Sequence, residues 1–312
     1  MLRSLSLSLF LLAGCTAGLQ APLNQVTTVA NGFSGLVLVE DEIYLGIHDT
    51  KSFEDAVRLS LFDVQQQSER PVTVEDWEHA EGRSSDLEAG CAVPGRANEF
   101  LVAESGDWKG QYGRVFHLRL NVTSSTAQVL GVADFPTWAS NSEDATGDQF
   151  EGLTCLGLED DRVLLLLGER GGSEKFVHGR LRWATLNLDT HALSFTDVGS
   201  AGLELNAPGA WTDDTLNRDI AALHLDEEGQ LWVAATEDFG DDGPFRSVVY
   251  RAGTVTANVE APVALLPSFS VARMLPGVKI EAIARAPASL AGFALAIGTE
   301  DENLGGTWRI IR

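Results

Sequence analysis

The sequence predicts an all-β fold built from one repeated unit, and three observations support this. Five stretches share a plan of a small-residue strand, a short turn and a fully apolar strand: 32–49, 84–105, 149–170, 217–238 and 278–301. The chain has 31 glycines among 312 residues and few helix-periodic segments, which favours many short strands. The last unit is one strand short, whereas one N-terminal strand belongs to no unit. Repetition of this kind determines architecture before any local prediction does.

The first two strands of each unit define the repeat interval. When Ser34, Glu88, Glu151, Ala221 and Glu281 are aligned, successive units lie 54, 63, 70 and 60 residues apart. Two more strand patterns follow in each of the first four units: 58–64 and 71–77, 113–120 and 127–135, 179–188 and 192–199, 246–253 and 256–266. The fifth unit ends after its third strand, at 307–312. Each unit is therefore predicted to form a four-stranded sheet.

The unassigned strand at Asn24–Ala30 supplies what the fifth unit lacks. A ring of four-stranded sheets closes when the N-terminal strand completes the last sheet, and closure protects edges that an open sheet would expose. We therefore predict a single β-propeller domain over residues 24–312, with five four-stranded blades. Six blades would also suit the length, but no sixth repeat is recognisable, and 190–219 is too polar and too rich in glycine and proline to contain one.

Residues 1–14 predict an export signal. They carry one positive charge, Arg3, followed by an apolar run at 5–12. That run is too short to span a bilayer core of about 30 Å as a helix, so it is interpreted as a targeting segment and not as part of the fold.

The sequence LAGC, which ends at Cys15, resembles the lipoprotein box of exported bacterial proteins. This resemblance implies that Cys15 is lipidated and that residues 15–23 form a lipidated tether to the membrane. Two or more acyl chains hold a protein stably at a bilayer where one does not. Thr16 follows the cysteine where an aspartate would signal inner-membrane retention, so the same resemblance implies an outer-membrane location facing the periplasm.

Two further cysteines, Cys91 and Cys155, lie in the first strands of adjacent units. Their compartment would be oxidising if the protein is exported. Buried free thiols are the interpretation favoured by the sequence. The alternative is a disulfide between neighbouring inner strands, which requires Cα atoms within about 7 Å of each other.

The sequence shows no transition-metal motif. CxxC and CxxH spacings are absent. The histidines also lack metal-ligand spacing, and we interpret them as scattered core or surface residues: His48, His117, His178, His191 and His224. His48 is the exception of interest, because it replaces a carboxylate in the repeat alignment.

The formal net charge of −23, with only four lysines, argues against nucleic acid as a partner. Binding a polyanion requires a basic stripe that displaces counterions, and none is visible. An acidic surface of this kind instead suits solubility or the attraction of cations.

Acidic residues recur at one end of the predicted propeller, on the face that carries the long polar loops. Long loops on a rigid scaffold are where function tends to lie. The start of each first strand should lie beside the end of the second strand, which pairs Glu88 with Glu104, Glu151 with Glu169, and Glu281 with Glu300. A ring of carboxylates is therefore expected around the mouth of the central channel.

Such a ring needs compensation, because two like charges about 5 Å apart repel by roughly 3 kcal/mol at an effective dielectric near 20. Local ion pairs are one possibility, since Arg170, Arg218, Arg246 and Lys279 lie in the same loops. Calcium is the other, because it takes six to eight oxygen ligands. The six candidate ligands are Glu88, Glu104, Glu151, Glu169, Glu281 and Glu300.

Short motifs across residues 32–312 suggest a family resemblance. They are DLEAG (86–90), FEGL (150–153), LLLLGER (164–170), DEEGQLWVA (226–234), GPFRS (243–247), KIEAIA (279–284) and GTEDENLGG (298–306). With these motifs the chain resembles the phytase-like (esterase-like) β-propeller family of exported bacterial proteins. The resemblance implies phosphoester hydrolysis at a calcium-lined face, with Glu88, Glu151 and Glu281 as ligands and Glu169 and Arg170 beside them. The chain differs in blade count and in having Ser34 and Ala221 at two ring positions.

The sequence leads to two functional hypotheses. The first is a membrane-anchored lipoprotein that binds a cation, and through it a small anionic ligand of the phosphoester type. As an enzyme it would use Glu169 or Glu151 to orient water and Arg170 or Arg246 to hold phosphate. The second is a non-catalytic envelope scaffold that engages a protein or glycan and has an ion-paired acidic rim.

Overall fold

The computed structural model describes residues 26–29, 31–77, 82–106, 113–136, 146–290, 292 and 294–312. These residues form five sheets, each built outward from a strand that lines a central channel. The strands pair antiparallel except for one parallel pair at the outer edge of the second sheet. The innermost strands contact one another in sequence, and the first contacts the last, so the ring is closed. The fold is a five-bladed β-propeller, which confirms the predicted fold class.

The strands follow the predicted order. The N-terminal strand is β1 (Val26–Val29), and blade 1 contains β2 (Gly35–Glu40), β3 (Ile43–Ile47), β4 (Leu59–Asp63) and β5 (Ser68–Pro71). Blade 2 contains β6 (Thr73–Val74), β7 (Leu87–Ala92), β8 (Glu99–Glu104), β9 (Arg114–Asn121) and β10 (Thr126–Asp134). Blade 3 contains β11 (Phe150–Gly157), β12 (Arg162–Glu169), β13 (Gly179–Asn187), β14 (Leu193–Ser194) and β15 (Leu203–Leu205), with helix α1 (Asp197–Ala201) between its last two strands.

The last two blades complete the ring. Blade 4 contains β16 (Asn217–Leu225), β17 (Gln230–Glu237), β18 (Arg246–Val255), β19 (Val263–Leu265) and β20 (Val271–Pro276). Blade 5 contains β21 (Ile280–Arg285), β22 (Leu295–Glu300) and β23 (Gly306–Ile311), with a short 3₁₀ helix (Glu302–Leu304) before its last strand. The strand β1 pairs antiparallel with β23, so the N-terminal strand closes blade 5 as predicted.

The outermost strands depart from the sequence prediction. The fourth strand of blade 1 is Ser68–Pro71, and the predicted strand at 71–77 contributes only Thr73–Val74, which pairs with β10 of blade 2. In blades 3 and 4 two short strands share the outer edge in place of one long strand. Outer strands pack against one neighbour only, so their apolar pattern is weak and does not define their limits.

Apolar side chains pack between neighbouring blades. Five separate core clusters lie at the five blade interfaces of the ring. The inner strands are rich in small residues because they converge. A Cβ atom on Gly90 would lie 2.6 Å from Cδ1 of Ile47, and one on Gly152 would lie 2.6 Å from Cγ of Leu223. Close approach therefore explains the small-residue strands that marked the repeat.

The inner strands of blades 2 and 3 are covalently joined. Cys91 in β7 and Cys155 in β11 form a disulfide, with Cα atoms 6.1 Å apart. The interpretation of these residues as free thiols is therefore wrong. No pattern in the sequence indicated the pairing, because the distance between the two strands is set by the fold.

No helix among the described residues has the length and apolar character required to cross a bilayer. The predicted signal and the lipidation site Cys15 lie outside the described residues.

Candidate functional site at the channel mouth

Three recurrent glutamates owe their position to irregularities in the inner strands. The pairing register shifts between Leu87 and Ala89, between Phe150 and Gly152, and between Ile280 and Ala282. The residue left unpaired in each case is a glutamate: Glu88, Glu151 or Glu281. A β-bulge redirects the side chain of its extra residue. The three carboxylates therefore meet at one end of the channel although they belong to three blades.

These glutamates line a small cavity at the channel mouth, with a volume of about 160 Å³. Seven carboxyl groups surround it: Asp49, Asp86, Glu88, Glu151, Glu281, Glu300 and Glu302. Four cationic side chains and one amide complete the wall: Lys51, Arg170, Arg218, Lys279 and Gln149. The cavity is therefore a mixed-charge site in which carboxyl groups outnumber cations.

One side of the cavity is ion-paired. Arg218 lies with Nη1 3.4 Å from Oε1 of Glu281 and 3.7 Å from Oε1 of Glu151. Lys279 Nζ lies 2.8 Å from the same oxygen of Glu281, and Arg170 Nη1 lies 3.5 Å from Oε1 of Glu151. These contacts match the ion-pair alternative that the sequence left open.

The environment shifts the pKa values of the paired glutamates in opposite directions. Burial raises the pKa of Glu151 to about 7, although Arg218 and Arg170 oppose the shift. Burial acts in the same direction on Glu281, but the Lys279 ammonium, the hydrogen bond from Glu300 and the Arg218 guanidinium together outweigh it, so the pKa of Glu281 is lowered. Glu281 is therefore the anionic centre of this side of the cavity.

Glu88 lies on the other side and is only 9% exposed. In the part of the chain that the structure describes, its carboxylate has no hydrogen bond and no ion pair. Lys51 is nearby, but it forms a short contact with Asp86. Burial, and then the charges of Glu151 and Asp86, raise the pKa of Glu88 well above its usual range. Glu88 is thus a buried acid of the cavity wall that Lys51 and Arg218 influence electrostatically without forming an ion pair with it.

Glu300 also faces other acids. Burial, and then the charge of Glu281, raise the pKa of Glu300 to about 10, and its protonated form donates a hydrogen bond to Glu281. The hydroxyl of Ser34, which replaces a ring carboxylate in blade 1, donates to Oε2 of Glu300 at 3.3 Å. Glu300 is therefore neutral near pH 7 in the unliganded site.

Three residues that the sequence assigned to the site lie outside the cavity lining. Glu104 is fully buried and accepts hydrogen bonds from Arg114 at 2.7 and 2.9 Å. Glu169 is buried and accepts from Nε of Arg182 at 2.6 Å. Arg246 instead pairs with Glu237 at 2.8 Å. The structure thus gathers Glu88, Glu151, Glu281, Glu300 and Arg170, but it does not bring Glu104, Glu169 or Arg246 to them.

His48, which takes the place of a ring carboxylate, is also outside the cavity. It is buried, with Nδ1 2.6 Å from the carbonyl oxygen of Gly32 and Nε2 2.9 Å from Oγ of Ser60. Its role in this structure is to join blade 1 to the segment that precedes it.

Sequence reasoning missed several residues of the lining. Asp49, Lys51, Asp86 and Glu302 come from loops, where no periodic pattern applies. Asp86 was the easiest of these to predict from the sequence, since it lies two residues before Glu88 within the DLEAG motif. The others required knowledge of how the loops fold.

Large apolar side chains are exposed on loops at the same end of the propeller. Phe53 is 77% exposed in the loop between β3 and β4, Phe239 is 41% exposed between β17 and β18, and Leu304 is 69% exposed between β22 and β23. These loops belong to blades 1, 4 and 5, which are neighbours in the ring. Exposed apolar side chains therefore lie on three neighbouring blades at the end of the propeller that carries the cavity, and we call Phe53, Phe239 and Leu304 the apolar rim.

Comparisons with solved structures find distant likenesses. No family model and no curated protein matches the chain. A putative exo-β-1,3-galactanase from Bifidobacterium bifidum s17 is 9% identical with a TM-score of 0.48, over 90% of this chain and 87% of that one. An endo-arabinase from Bacteroides thetaiotaomicron VPI-5482 is 12% identical with a TM-score of 0.47, over 91% of this chain and 93% of that one.

A third similar structure is an exo-1,5-α-L-arabinanase from a bovine ruminal metagenomic library. It is 12% identical with a TM-score of 0.46, over 90% of this chain and 92% of that one. Likenesses this distant carry no argument about activity, because one fold hosts many functions. The strand pairing of the chain itself establishes the propeller.

Proposed function

We propose that this chain is an exported, lipid-anchored propeller whose mouth cavity binds a small positively charged group. The observation that carries the proposal is Glu88, a buried carboxyl group that lines the cavity and forms no hydrogen bond or ion pair among the described residues, although Lys51 and Arg218 act on it electrostatically. A buried carboxylate without a partner is costly, and it either takes up a proton or pairs with a cation. A bound cation would let Glu88 ionise.

The charges around Glu88 support a cation over an anion. The charges of the Glu151, Asp86 and Glu281 carboxyl groups act on Glu88, and each raises the pKa of Glu88. An incoming positive charge would be attracted by all of these groups together. An incoming anion would meet them as repulsion on this side of the cavity.

Calcium, which the family resemblance implies, does not fit the arrangement observed. It requires six to eight oxygen ligands around one point. Glu281 and Glu151 already contact Arg218, and Lys279 also lies against Glu281. Within the described ranges no group of three or more histidine, cysteine or acidic side chains is placed to hold a metal ion. An ammonium group needs only a few hydrogen-bond acceptors, so it fits the cavity better.

The apolar rim favours a protein as the source of that group. A lysine side chain presents an ammonium on an apolar stem. Phe53, Phe239 and Leu304 are exposed beside the cavity and offer contact area to such a partner. We therefore favour an envelope protein as the ligand, which combines the cation hypothesis with the scaffold hypothesis.

Phosphoester hydrolysis is the second candidate, and one observation favours it. Glu151 has a pKa of about 7 and lies beside Arg170 and Arg218 on the cavity wall. A general base works best with a pKa near the operating pH, and guanidinium groups suit phosphate. Glu169 and Arg246 lie elsewhere, so Glu151 and Arg170 would carry this chemistry.

The direct test uses thermal unfolding with methylammonium, calcium or sodium chloride at equal ionic strength. A ligand at ten times its dissociation constant stabilises the folded state by about 1.4 kcal/mol. We expect methylammonium to raise the melting temperature of the wild type and to have no such effect on Glu88→Gln. The control is Glu228→Gln, because Glu228 is exposed in a turn at the opposite end of the propeller.

Each outcome of this experiment decides between the hypotheses. A rise with calcium alone, lost in Glu88→Gln, would overturn the ammonium proposal in favour of a metal site. No response to any cation would refute cation binding. Hydrolysis of p-nitrophenyl phosphate that disappears in Glu151→Gln but persists in Glu228→Gln would establish the second candidate.

The lipid anchor is tested separately. We expect the wild type to fractionate with membranes and to incorporate labelled palmitate, and Cys15→Ala to do neither. Incorporation of palmitate by the Cys15→Ala variant would refute the anchor. This result is independent of what the mouth cavity binds.

A further inference from the structure

Two histidines from neighbouring blades contact each other, although neither belongs to a metal-binding sequence motif. His117 lies in β9 of blade 2, and His191 lies in the turn between β13 and β14 of blade 3. Nδ1 of His117 is 3.1 Å from Nε2 of His191, and the ring centroids are 5.3 Å apart. The spacing of these two histidines along the chain does not predict their contact, which arises from the fold.

A carboxylate fixes which nitrogen of His117 carries the proton. Nε2 of His117 is 3.0 Å from Oε2 of Glu99, and Arg119 holds the other oxygen of that carboxylate at 2.8 Å. Because its other oxygen is paired with the Arg119 guanidinium, the Glu99 carboxylate accepts a hydrogen bond from His117. Nε2 therefore carries the proton, and the lone pair on Nδ1 points to His191.

Three local features hold His191 in place. Its backbone has φ of 55°, a left-handed conformation that non-glycine residues adopt infrequently. Oδ1 of Asn187 accepts hydrogen bonds from the backbone N–H groups of Asp189 at 3.0 Å and Thr190 at 2.8 Å, which shapes the turn. The imidazole packs directly against Gly131, where any β-carbon would overlap the ring.

We propose that His117 and His191 form a binding site for a divalent transition metal, bridging blades 2 and 3. Metal–imidazole bonds are about 2.0–2.1 Å long. At that length two nitrogens 3.1 Å apart subtend an angle of about 100° at the metal, between the square-planar and tetrahedral values. His191 would supply its Nε2 lone pair by carrying its proton on Nδ1.

The surroundings of the site suit metal binding in one further way. A metal-bound histidine commonly donates its second N–H to a carboxylate, and Glu99 already occupies that position on His117.

The site offers two protein donors, and water would fill the remaining positions. Among the described residues no third histidine, cysteine or acidic side chain completes it as a closed structural site. Affinity of nitrogen sites rises toward Cu²⁺ in the divalent series, so Cu²⁺ is the most sensitive probe and Ni²⁺ the next.

The test is titration of the purified protein, without an affinity tag, with Cu²⁺. We expect one equivalent to bind, with nitrogen hyperfine structure in the electron paramagnetic resonance spectrum and a higher melting temperature. His191→Ala should weaken binding by at least tenfold. Glu99→Gln should weaken it by about 10- to 100-fold, the usual cost of losing an outer-shell partner.

A second variant separates metal binding from packing. His191→Gln can still donate a hydrogen bond to Nδ1 of His117, so it should fold like the wild type and yet lose the copper signal. His178→Ala is the matched control, because His178 lies elsewhere in blade 3 beside Asp219 at 3.5 Å. Copper binding that is equal in the wild type and His191→Gln would overturn the proposal, as would its absence from the wild type.

Discussion

Removal of the disulfide between Cys91 and Cys155 should lower the stability of the propeller substantially. The bond closes a loop of 64 residues between the inner strands of blades 2 and 3. In the chain-entropy model, a cross-link over a loop of this length stabilises the folded state by about 4 kcal/mol. For a domain of this size, that corresponds to a fall in melting temperature of roughly 6–7 °C.

Two comparisons separate the cross-link from the packing of its sulfur atoms. Both cysteines belong to the core cluster between blades 2 and 3, so the double variant Cys91→Ala/Cys155→Ala also loses buried volume. Wild-type protein in a strong reductant keeps the two thiols and loses only the bond. Calorimetry of oxidised wild type, reduced wild type and the double variant therefore gives the two contributions separately.

The oxidised wild type should have the highest melting temperature. Reduction of the wild type should account for most of the difference in melting temperature between the oxidised wild type and the double variant. The double variant should be insensitive to reductant. A double variant that melts within 1 °C of the oxidised wild type would refute the entropic argument. Equal melting of the oxidised and reduced wild type would do the same.

Three further predictions concern the mouth and the ring. The folded-state pKa of Glu300, about 10, exceeds its unfolded value near 4.5, so the native state holds an extra proton and its stability falls as the pH rises through that interval. Glu300→Gln should therefore make the decline in melting temperature between pH 5 and 9 shallower. An unchanged slope would contradict this. Glu104→Gln should lower the free energy of unfolding, measured with urea, by about 3–5 kcal/mol because it removes the carboxylate that pairs with the buried Arg114. Glu228→Gln, at an exposed position, should lower it by less than about 0.5 kcal/mol. Similar losses in both variants would refute the argument. Gly90→Ala should destabilise by about 1–3 kcal/mol because its methyl group would overlap an isoleucine of blade 1, and wild-type stability would show that the ring can expand.

The repeat made the inner half of every blade predictable. The first two strands of each unit are buried on both sides, so their pattern of small and apolar residues is strong. The prediction of 43–48 as a strand, for example, corresponds to Ile43–Ile47 in the structure. The matching of a missing strand with a surplus strand also held, because β1 pairs with β23. The prediction of outer strands such as 192–199 failed, because short polar edge strands have no periodic pattern. Helix α1 occupies part of that segment.

The site was predictable only in part, and the reason is local geometry. The repeat alignment identified Glu88, Glu151 and Glu281, which line the cavity. It treated the glutamates that end the second strands, Glu104 and Glu169 among them, as members of the same ring. In the structure Glu104 and Glu169 lie outside the cavity lining and pair with arginines of the third strands. Bulges place the first-strand glutamates in the lining.

Blade 5 shows how one third-strand residue decides the charge of the mouth. In blades 2, 3 and 4 an arginine of the third strand neutralises the second-strand glutamate, as Arg246 does for Glu237. The residue opposite Glu300 in blade 5 is Gly306, which packs so closely on Gly32 that no side chain fits. Glu300 therefore lies against Glu281. Close packing of Gly306 on Gly32, which follows β1, thus places a glycine where the other blades have an arginine, and Glu300 stays at the mouth as an acid that is neutral near pH 7.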